Sequence, residues 1–221
     1  MTMVRRVVDL SHPIDNGMPV YPGDPVARLI PHCTVARDGY NVLRVEMGSQ
    51  TGTHVDAPVH LQDGDTPIDR MDLSLFVGRG VVFDMRGLAP REPITSAMLA
   101  GTVDTVRPGD IALIHTGWAR HYGTDDYYDH PFLGADACAL LLERGVRAFC
   151  LDAPSIDPSG DEDAGYPAHH LIATAGGVIA ENLCNLELVD FPDPLISILP
   201  LRLAGGDGAP VRAVAMELDG A

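Results

Sequence analysis

The sequence predicts an α/β protein built on a mixed sheet. Apolar segments of strand length outnumber segments with a helical pattern. The clearest helix, Gly134–Arg144, is rich in Ala and Leu and is followed by Gly145, a typical helix stop. This helix lies between two apolar segments, Ile111–His115 and Val146–Leu151. A helix that connects two buried strands is typical of a parallel pair, so part of the sheet is expected to be parallel.

The remaining elements follow from the same patterns. Asn16–Pro25 is dense in Gly and Pro and is predicted to be a loop. Arg37-Asp38-Gly39 separates two apolar runs and indicates a hairpin. Short helices are predicted at Thr95–Leu99 and His169–Ala175. The predicted strands are Val4–Leu10, Leu29–Val35, Asn41–Met47, Val81–Met85, Ile111–His115, Val146–Leu151, Val178–Leu183, Leu186–Val189, Ile196–Leu203 and Val211–Leu218.

Length and charge limit the possible functions. The 221 residues fit one domain over positions 1–221 with a substantial core, and 46% of them are hydrophobic. The formal charge is −16, from 31 acidic and 15 basic side chains. Such a surface repels nucleic acid and anionic membranes, and it favours solubility. The acidic stretches Asp125–Asp129 and Asp161-Glu162-Asp163 are predicted to be solvated loops.

The cysteines and the apolar segments indicate a cytoplasmic protein. The four cysteines, Cys33, Cys138, Cys150 and Cys184, have no paired spacing, which is typical of a reducing compartment. The start of the sequence does not show the apolar run of a signal peptide, and no segment approaches the length of a membrane span.

The most informative stretch for function is Gln50–His60, which reads QTGTHVDAPVH. It has an amide, an imidazole, a carboxylate and a second imidazole at even positions. Extended backbone puts alternate residues on one face, so His54 and Asp56 are expected to lie together. Pro58 ends an ordinary strand, and His60 is therefore expected on a turn beyond it. A compact cluster of nitrogen and oxygen donors suits a divalent ion such as zinc or manganese.

This stretch resembles the His-x-Gly-Thr-His-x-Asp-x-Pro-x-His signature of the metal-dependent cyclase hydrolases, the family of bacterial kynurenine formamidase and isatin hydrolase. The sequence matches the signature at Gly52, Thr53, His54, Asp56, Pro58 and His60, and departs from it at Gln50. The resemblance runs in order over nearly the whole chain. It includes Asp9–Ile14, Gly17–Pro25, His115–Trp118, Asp152–Asp157, Ala168–His170, Glu181–Leu183, Leu199–Leu203 and Pro210–Ala213.

The resemblance implies a fold, a site and an assembly. The fold is a swivelling β/β/α arrangement, and the assembly is a homodimer or larger oligomer. The implied metal ligands are His54, Asp56, His169 and Glu181, and the aspartate can bridge two ions. His60 corresponds to the catalytic histidine, whose imidazole suits a proton shuttle. A structural role is the alternative for His54 and Asp56, and metal ligation is the alternative for His60.

Two positions leave the substrate and the metal count open. Gln50 stands where the family has histidine: it could ligate through its oxygen, contact substrate only, or mark a lost metal position. A single-metal or altered-metal site is favoured, because an amide oxygen is a weaker zinc ligand than imidazole. Tyr21 lies where kynurenine formamidases have an aromatic substrate contact. The alternative for Tyr21 is a half-exposed loop residue.

The function predicted from this resemblance is hydrolysis of a small carbonyl substrate: an amide, formamide, lactam or lactone. A divalent ion acidifies water and polarises the carbonyl, and His60 moves the proton. Neither a serine elbow nor a cysteine-nucleophile pattern is present, which argues against a covalent route. The alternatives are a ring-opening or dehydrating cyclase, and a non-catalytic relative that binds a small ligand at a degraded metal site.

Overall fold

The computed structural model describes residues 3–160 and 165–219, so the predicted acidic loop Asp161-Glu162-Asp163 lies outside the described residues. The helices are α1 (Val35–Asp38), α2 (Ala135–Glu143) and α3 (Pro167–Thr174). None of the helices in the described ranges has the length and apolar character needed to cross a bilayer. The strands are β1 (Val4–Asp9), β2 (Arg28–Cys33), β3 (Val42–Glu46), β4 (His54–Asp56), β5 (Val77–Asp84), β6 (Pro93–Ile94), β7 (Ile111–His115), β8 (Phe132–Leu133), β9 (Ala148–Leu151), β10 (Val178–Glu181), β11 (Leu195–Ser197), β12 (Gly208–Pro210) and β13 (Val214–Leu218).

One mixed sheet organises the molecule. Within the described part of the chain it has nine strands, in the order β1-β13-β11-β5-β7-β9-β10-β4-β12. The four central strands, β5-β7-β9-β10, are parallel. The strands on either side of them are antiparallel. Helix α2 connects parallel strands β7 and β9, as its position between two apolar segments indicated. The predicted α/β class with a mixed sheet is confirmed.

Both faces of the parallel strands are buried. On β7, Ile114 packs on the side of α2 and α3, whereas Leu113 packs on the opposite side, and both are 0% exposed. Side chains alternate in the same way along β9, where Phe149 and Cys150 face opposite clusters. Apolar runs without alternation are typical of such doubly covered parallel strands.

Two predicted strands differ in the structure. Leu186–Val189 is wrong as a strand, because Leu186–Leu188 forms a single 3-10 turn. Asn185, at φ +58°, reverses the backbone just before the turn, so the short apolar run buries Leu186 instead of extending. The strand predicted over Ile196–Leu203 ends early, at the last residue of β11. Its remainder contains a proline, which cannot donate to a ladder.

A buried histidine makes the stability of the fold depend on pH. His130 is 1% exposed and lies within 2.8 Å of the Pro131 carbonyl and of Ser159 Oγ. Burial lowers the pKa of His130 to about 4, only partly offset by the Pro131 carbonyl. Because the unfolded chain takes up this proton at higher pH than the folded chain, stability falls as pH drops from the ordinary histidine pKa towards about 4.

We therefore expect the unfolding free energy to fall by roughly 2 kcal/mol more in the wild-type protein than in His130→Gln between pH 7 and about 4.5. Urea unfolding of both proteins in chelator at the two pH values measures this difference. Equal losses in the two proteins would show that His130 is not held neutral by the fold.

Candidate metal centre and active site

Three of the predicted metal ligands come together on neighbouring strands. Glu181 on β10 lies directly opposite His54 on β4 in an antiparallel pair. Residues that are directly opposite share a face of the sheet, and Asp56, two positions after His54, shares that face too. The three side chains are buried and offer ligand atoms that lie within 4.8 Å of one another.

The fourth predicted ligand, His169, reaches the cluster from helix α3. Asp157 fixes it there. One carboxylate oxygen of Asp157 accepts from the backbone N–H of Ala168 at 3.0 Å, and the other accepts from the backbone N–H of His169 at 2.9 Å and contacts Nδ1 of its ring at 2.7 Å. Asp157 therefore satisfies the start of the helix and leaves Nε2 of His169 free to face the cluster.

The free imidazole nitrogens face carboxylate oxygens. His54 Nε2 lies 3.4 Å from Asp56 Oδ1 and 3.7 Å from Glu181 Oε2. His169 Nε2 lies 3.7 Å from Asp56 Oδ2 and 3.5 Å from Glu181 Oε1. Both oxygens of Asp56 are buried without a hydrogen-bond partner. Buried carboxylates without donors require a cation, so the donor set fits a divalent metal ion.

The pKa values of the two histidines in the cluster also indicate that the cluster favours a bound positive charge. Burial lowers the pKa of His54, but the nearby Asp56 carboxylate and the charge of Glu181 outweigh burial and raise this pKa to about 9. The pKa of His169 is likewise raised well above its usual value: burial opposes the shift, whereas Asp157, Asp56 and Glu181 drive it. A cation held between these groups replaces the protons that the imidazoles would otherwise take up.

His60 lies beside the cluster, at the end of the 3-10 turn Pro58–His60 that follows β4, as predicted. Its Nδ1 lies 3.3 Å from Asp207 Oδ2. The Asp207 carboxylate also accepts from Gln50 Nε2 at 2.9 Å and from Ser49 Oγ at 2.8 Å. Burial raises the pKa of Asp207, but these hydrogen bonds outweigh it and lower the pKa. An ionised carboxylate thus holds the Nδ1 edge of His60.

Gln50 does not belong to the strand that carries His54. Gly52 has a φ of +66°, which ends the extended run before β4 begins. The alternation that would place Gln50 on one strand face with His54 is therefore interrupted, although both residues line the same cavity. Gln50 Nε2 binds Asp207, and Gln50 Oε1 is buried without a partner.

A cavity of about 380 Å³ opens onto these groups. Tyr127 lies in its wall, is 2% exposed, and donates to Asn182 Oδ1 at 2.8 Å. The prediction of a solvated loop at Asp125–Asp129 is therefore wrong at its centre: the segment is a 3-10 helix that turns Tyr127 inward. Tyr21, half-buried, packs edge-on against Tyr128 at 6.0 Å between ring centres. The tyrosines in the wall are Tyr21, Tyr122, Tyr127, Tyr128 and Tyr166.

The model of the Cyclase family matches residues 8–158, more than half of the chain. The chain belongs to the cyclase family. The family match begins in β1 and extends past the Asp157 that positions His169. The resemblance inferred from the Gln50–His60 motif is confirmed.

Cyclase-family relatives match nearly the full chain. A kynurenine formamidase from Bacillus mycoides (strain KBAB4) is 32% identical over 211 residues, which are 94% of this chain and 95% of the relative. Isatin hydrolase A from Labrenzia aggregata, solved with benzyl benzoate, is 25% identical with a TM-score of 0.85, over 96% of this chain and 93% of the other. A structure described as a potential metal-dependent hydrolase with cyclase activity is 28% identical with a TM-score of 0.75, over 97% and 98%.

Several residues around this cyclase-family site had no recognisable signal in the sequence. Asp207 follows two glycines near the end of the chain, far from His60, and only the fold brings the two together. Asp157 lies in a segment that resembles the family, but its contact with His169, twelve positions later, is too distant for a local capping pattern. Tyr127 lies in a segment of acidic residues, which indicated that it is exposed, whereas the structure buries it.

Proposed function

We propose that this protein is a metal-dependent hydrolase that cleaves the C–N bond of a small aromatic amide, formamide or lactam. The observation that carries the proposal is the convergence of His54, Asp56, His169 and Glu181 with both buried oxygens of Asp56 unpartnered. The names of the relatives, kynurenine formamidase and isatin hydrolase, support the same chemistry.

The four side chains are proposed as ligands of zinc or manganese. Two imidazole nitrogens and two carboxylates form a donor set that suits either ion. Each carboxylate presents one oxygen towards His54 and the other towards His169, so the set accommodates one ion or two neighbouring ions.

The proposed reaction adds one water molecule across the C–N bond and gives a carboxylic acid and an amine. A divalent ion in the site supplies Lewis acidity, which polarises the scissile carbonyl and acidifies water. His60, with Nδ1 held by Asp207, presents Nε2 as the base that takes the proton of the attacking water. The same nitrogen then donates that proton to the leaving nitrogen.

The cavity supports an aromatic substrate. Five tyrosines line a volume of about 380 Å³, which suits a compound with one or two rings. Tyr21 is proposed as a substrate contact, because its ring forms part of this wall. The hydroxyl of Tyr122, a residue of the wall, is buried without a hydrogen-bond partner.

Metal analysis combined with a substrate panel tests the proposal. Protein purified without chelator should contain at least about one equivalent of zinc or manganese, and it should hydrolyse N-formylkynurenine, formanilide or isatin. The stoichiometry decides between one ion and two. Less than about a tenth of an equivalent, with no uptake on reconstitution, would contradict the metal site. Metal without hydrolysis of any of the three compounds would favour a binding protein.

Asp207 is proposed to position His60. We expect Asp207→Asn to lower kcat by about 10- to 100-fold with little change in KM, because the amide does not hold the His60 tautomer as a carboxylate does. The metal content should not change. Steady-state kinetics and elemental analysis measure both quantities, and a loss of metal in Asp207→Asn would contradict a pure positioning role.

Gln50→Leu provides the comparison variant, since it removes a neutral group that contacts both Asp207 at 2.9 Å and His60 Nδ1 at 3.2 Å, and it spares the carboxylate. We expect it to retain its metal and to lose less kcat than Asp207→Asn. If Gln50→Leu loses metal instead, the unpartnered Oε1 of Gln50 is a ligand.

The protein is also proposed to be a homodimer or a larger homo-oligomer. Strands β2 and β3 form a separate two-stranded hairpin. Register places Leu29 opposite Val45 and Pro31 opposite Leu43, so one face of the hairpin is apolar. Leu43 and Val45 are 51% and 49% exposed. A lone hairpin is marginally stable in water, and a second copy of the chain would cover this face.

Light scattering at micromolar concentration should therefore give at least twice the chain mass of 23.6 kDa. Leu43→Asp should reduce the mass to that of a monomer, because it places a charge within the apolar face. Ile30→Asp, on the other face of the same hairpin, is the control and should leave the assembly intact. A monomeric wild-type protein would refute the assembly.

A cytoplasmic location is proposed from the cysteines. Each of the four cysteines is free in the structure, two buried and two half-buried. Free thiols persist in a reducing compartment. Fractionation of the native host with an antibody against this chain tests the location, and recovery outside the cytoplasmic fraction would contradict it.

A further inference from the structure

Among the residues that the structure describes, the cavity wall contains no lysine or arginine that could hold an anion. All 15 basic residues of the chain are arginines, since lysine is absent from the sequence. None of the arginines in the described ranges lines the cavity, and the stretches outside those ranges contain no arginine. The cavity histidines, His54, His60 and His169, already serve the proposed metal centre and proton transfer.

One acidic residue in the wall is not used by the proposed chemistry. Asp24 lines the cavity, is half-buried, and is held at a turn by its backbone N–H, which donates to the Tyr21 carbonyl at 3.0 Å. Burial raises the pKa of Asp24, whereas the charges of His54 and His60 lower it. The Asp24 carboxylate lies in the wall of the same cavity as His54 and His60.

The balance of charges around the metal site lets Asp24 discriminate between anionic and cationic groups on a ligand. If the site holds one divalent ion, the charge of that ion is neutralised by its two carboxylates, Asp56 and Glu181. Asp24 then remains as an uncompensated negative charge beside a wall of tyrosines. An anionic substituent on a bound ring would lose water there without gaining a cation, which is costly, whereas an ammonium group would gain a partner. The formal charge of −16 adds to the repulsion of anions.

We propose that this cavity selects aromatic amides with a neutral or positively charged ring substituent and rejects those with an anionic substituent, and that Asp24 is the residue that makes this selection. The inference rests on the proposed function, because that function places an aromatic amide in the cavity. It narrows the substrate class by charge, which neither the family match nor the names of the relatives specify.

Three amides of similar shape test the selection by isothermal titration calorimetry on metal-loaded protein at about pH 8. They are benzamide, 4-(aminomethyl)benzamide and 4-carbamoylbenzenesulfonate; the sulfonate is chosen because it is a poor metal ligand. We expect the ammonium compound to bind about fivefold more tightly than benzamide and the sulfonate about tenfold more weakly. Asp24→Asn should shrink the ratio of the cation affinity to the anion affinity by about tenfold.

Asp104→Asn is the matched control, because it removes the same charge from a side chain that is 72% exposed and does not line the cavity. It should leave the affinity ratio unchanged. The proposal is overturned if the sulfonate binds as tightly as benzamide, if Asp24→Asn leaves the ratio unchanged, or if none of the three amides binds.

Hydrolysis of formanilide and of 4-formamidobenzenesulfonate separates this inference from the function on which it rests. If neither compound is cleaved while the binding order holds, the proposed hydrolase activity is wrong and the charge selection stands. If both are cleaved at equal rates and the sulfonate amide binds as tightly as benzamide, the hydrolase activity stands and the charge selection is wrong.

Discussion

The Asp56→Ala variant is expected to lose its divalent ion and, with it, hydrolysis by about a thousandfold or more. Asp56 faces both imidazoles, with one oxygen 3.4 Å from His54 Nε2 and the other 3.7 Å from His169 Nε2. Its removal leaves Glu181 as the one carboxylate of the proposed ligand set, so the set loses half of its negative charge. Lewis acidity is worth several kcal/mol to such a reaction. Elemental analysis and turnover of the best panel substrate measure both losses.

Asp63→Ala is the control for this variant, because Asp63 is exposed and close in sequence but does not line the cavity. It should keep its metal and its activity. Circular dichroism should show that Asp56→Ala remains folded. A folded Asp56→Ala protein with a full equivalent of metal would remove Asp56 from the ligand set.

The His60→Ala variant should keep its metal while kcat falls by about 10²- to 10⁴-fold, the usual contribution of a general acid–base group. His60 contacts Asp207 and Gln50, whereas the proposed ligands surround Asp56. Loss of the His60 imidazole therefore removes the proton shuttle without opening the ligand set. If metal and activity decline together in His60→Ala, His60 is a ligand.

The matched control is His170→Ala. His170 is exposed on α3, next to the buried His169. Its removal should leave both metal content and kcat unchanged. The same experiment tests whether His169 or its neighbour His170 is the ligand, because a loss of metal in His170→Ala would assign that role to His170.

Local pattern was sufficient for much of the fold. Ile111–Ile114 and Ala148–Leu151 are apolar without interruption, and such runs occur in parallel strands that are covered on both faces. Helix α2 was predicted to within one residue at each end, because Gly145 stops it and its residues favour helix. The strand predicted over Leu186–Val189 was wrong, because a segment of four residues with three apolar side chains suits a turn as well as a strand, and only the surrounding chain decides between them.

The candidate ligands were predictable only in part. His54 and Asp56 lie two positions apart on one strand, so period-two geometry sufficed for them. Glu181 and His169 came from the family resemblance, because nothing local in the sequence indicates that β10 pairs with β4 or that α3 approaches them. The structure adds the reason for their proximity: Glu181 is the cross-strand partner of His54.

The residues that support the site were not predicted from the sequence, because they act on residues that are distant in the sequence. Asp207 reaches His60 through the pairing of β12 with β4, a contact across about 150 positions that no local pattern encodes. Asp24 lines the cavity from a loop rich in Gly and Pro, and Tyr127 lines it from a segment whose acidic neighbours indicate solvent. A sequence pattern indicates whether a whole segment is exposed, whereas a binding site depends on single side chains of that segment that point inward.

The position of the proposed ligands links the supply of metal to the local stability of one edge of the sheet. β12 is an edge strand of three residues, and β4, also three residues long, is its neighbour. Short strands at an edge open more readily than the centre of a sheet. An ion held by residues of β4, β10 and α3 would connect this edge of the sheet to its parallel centre. Metal binding and local opening of the edge would then be linked equilibria. In a metal-starved cell, the protein molecules without an ion would open at this edge most readily and would be cleaved by proteases first.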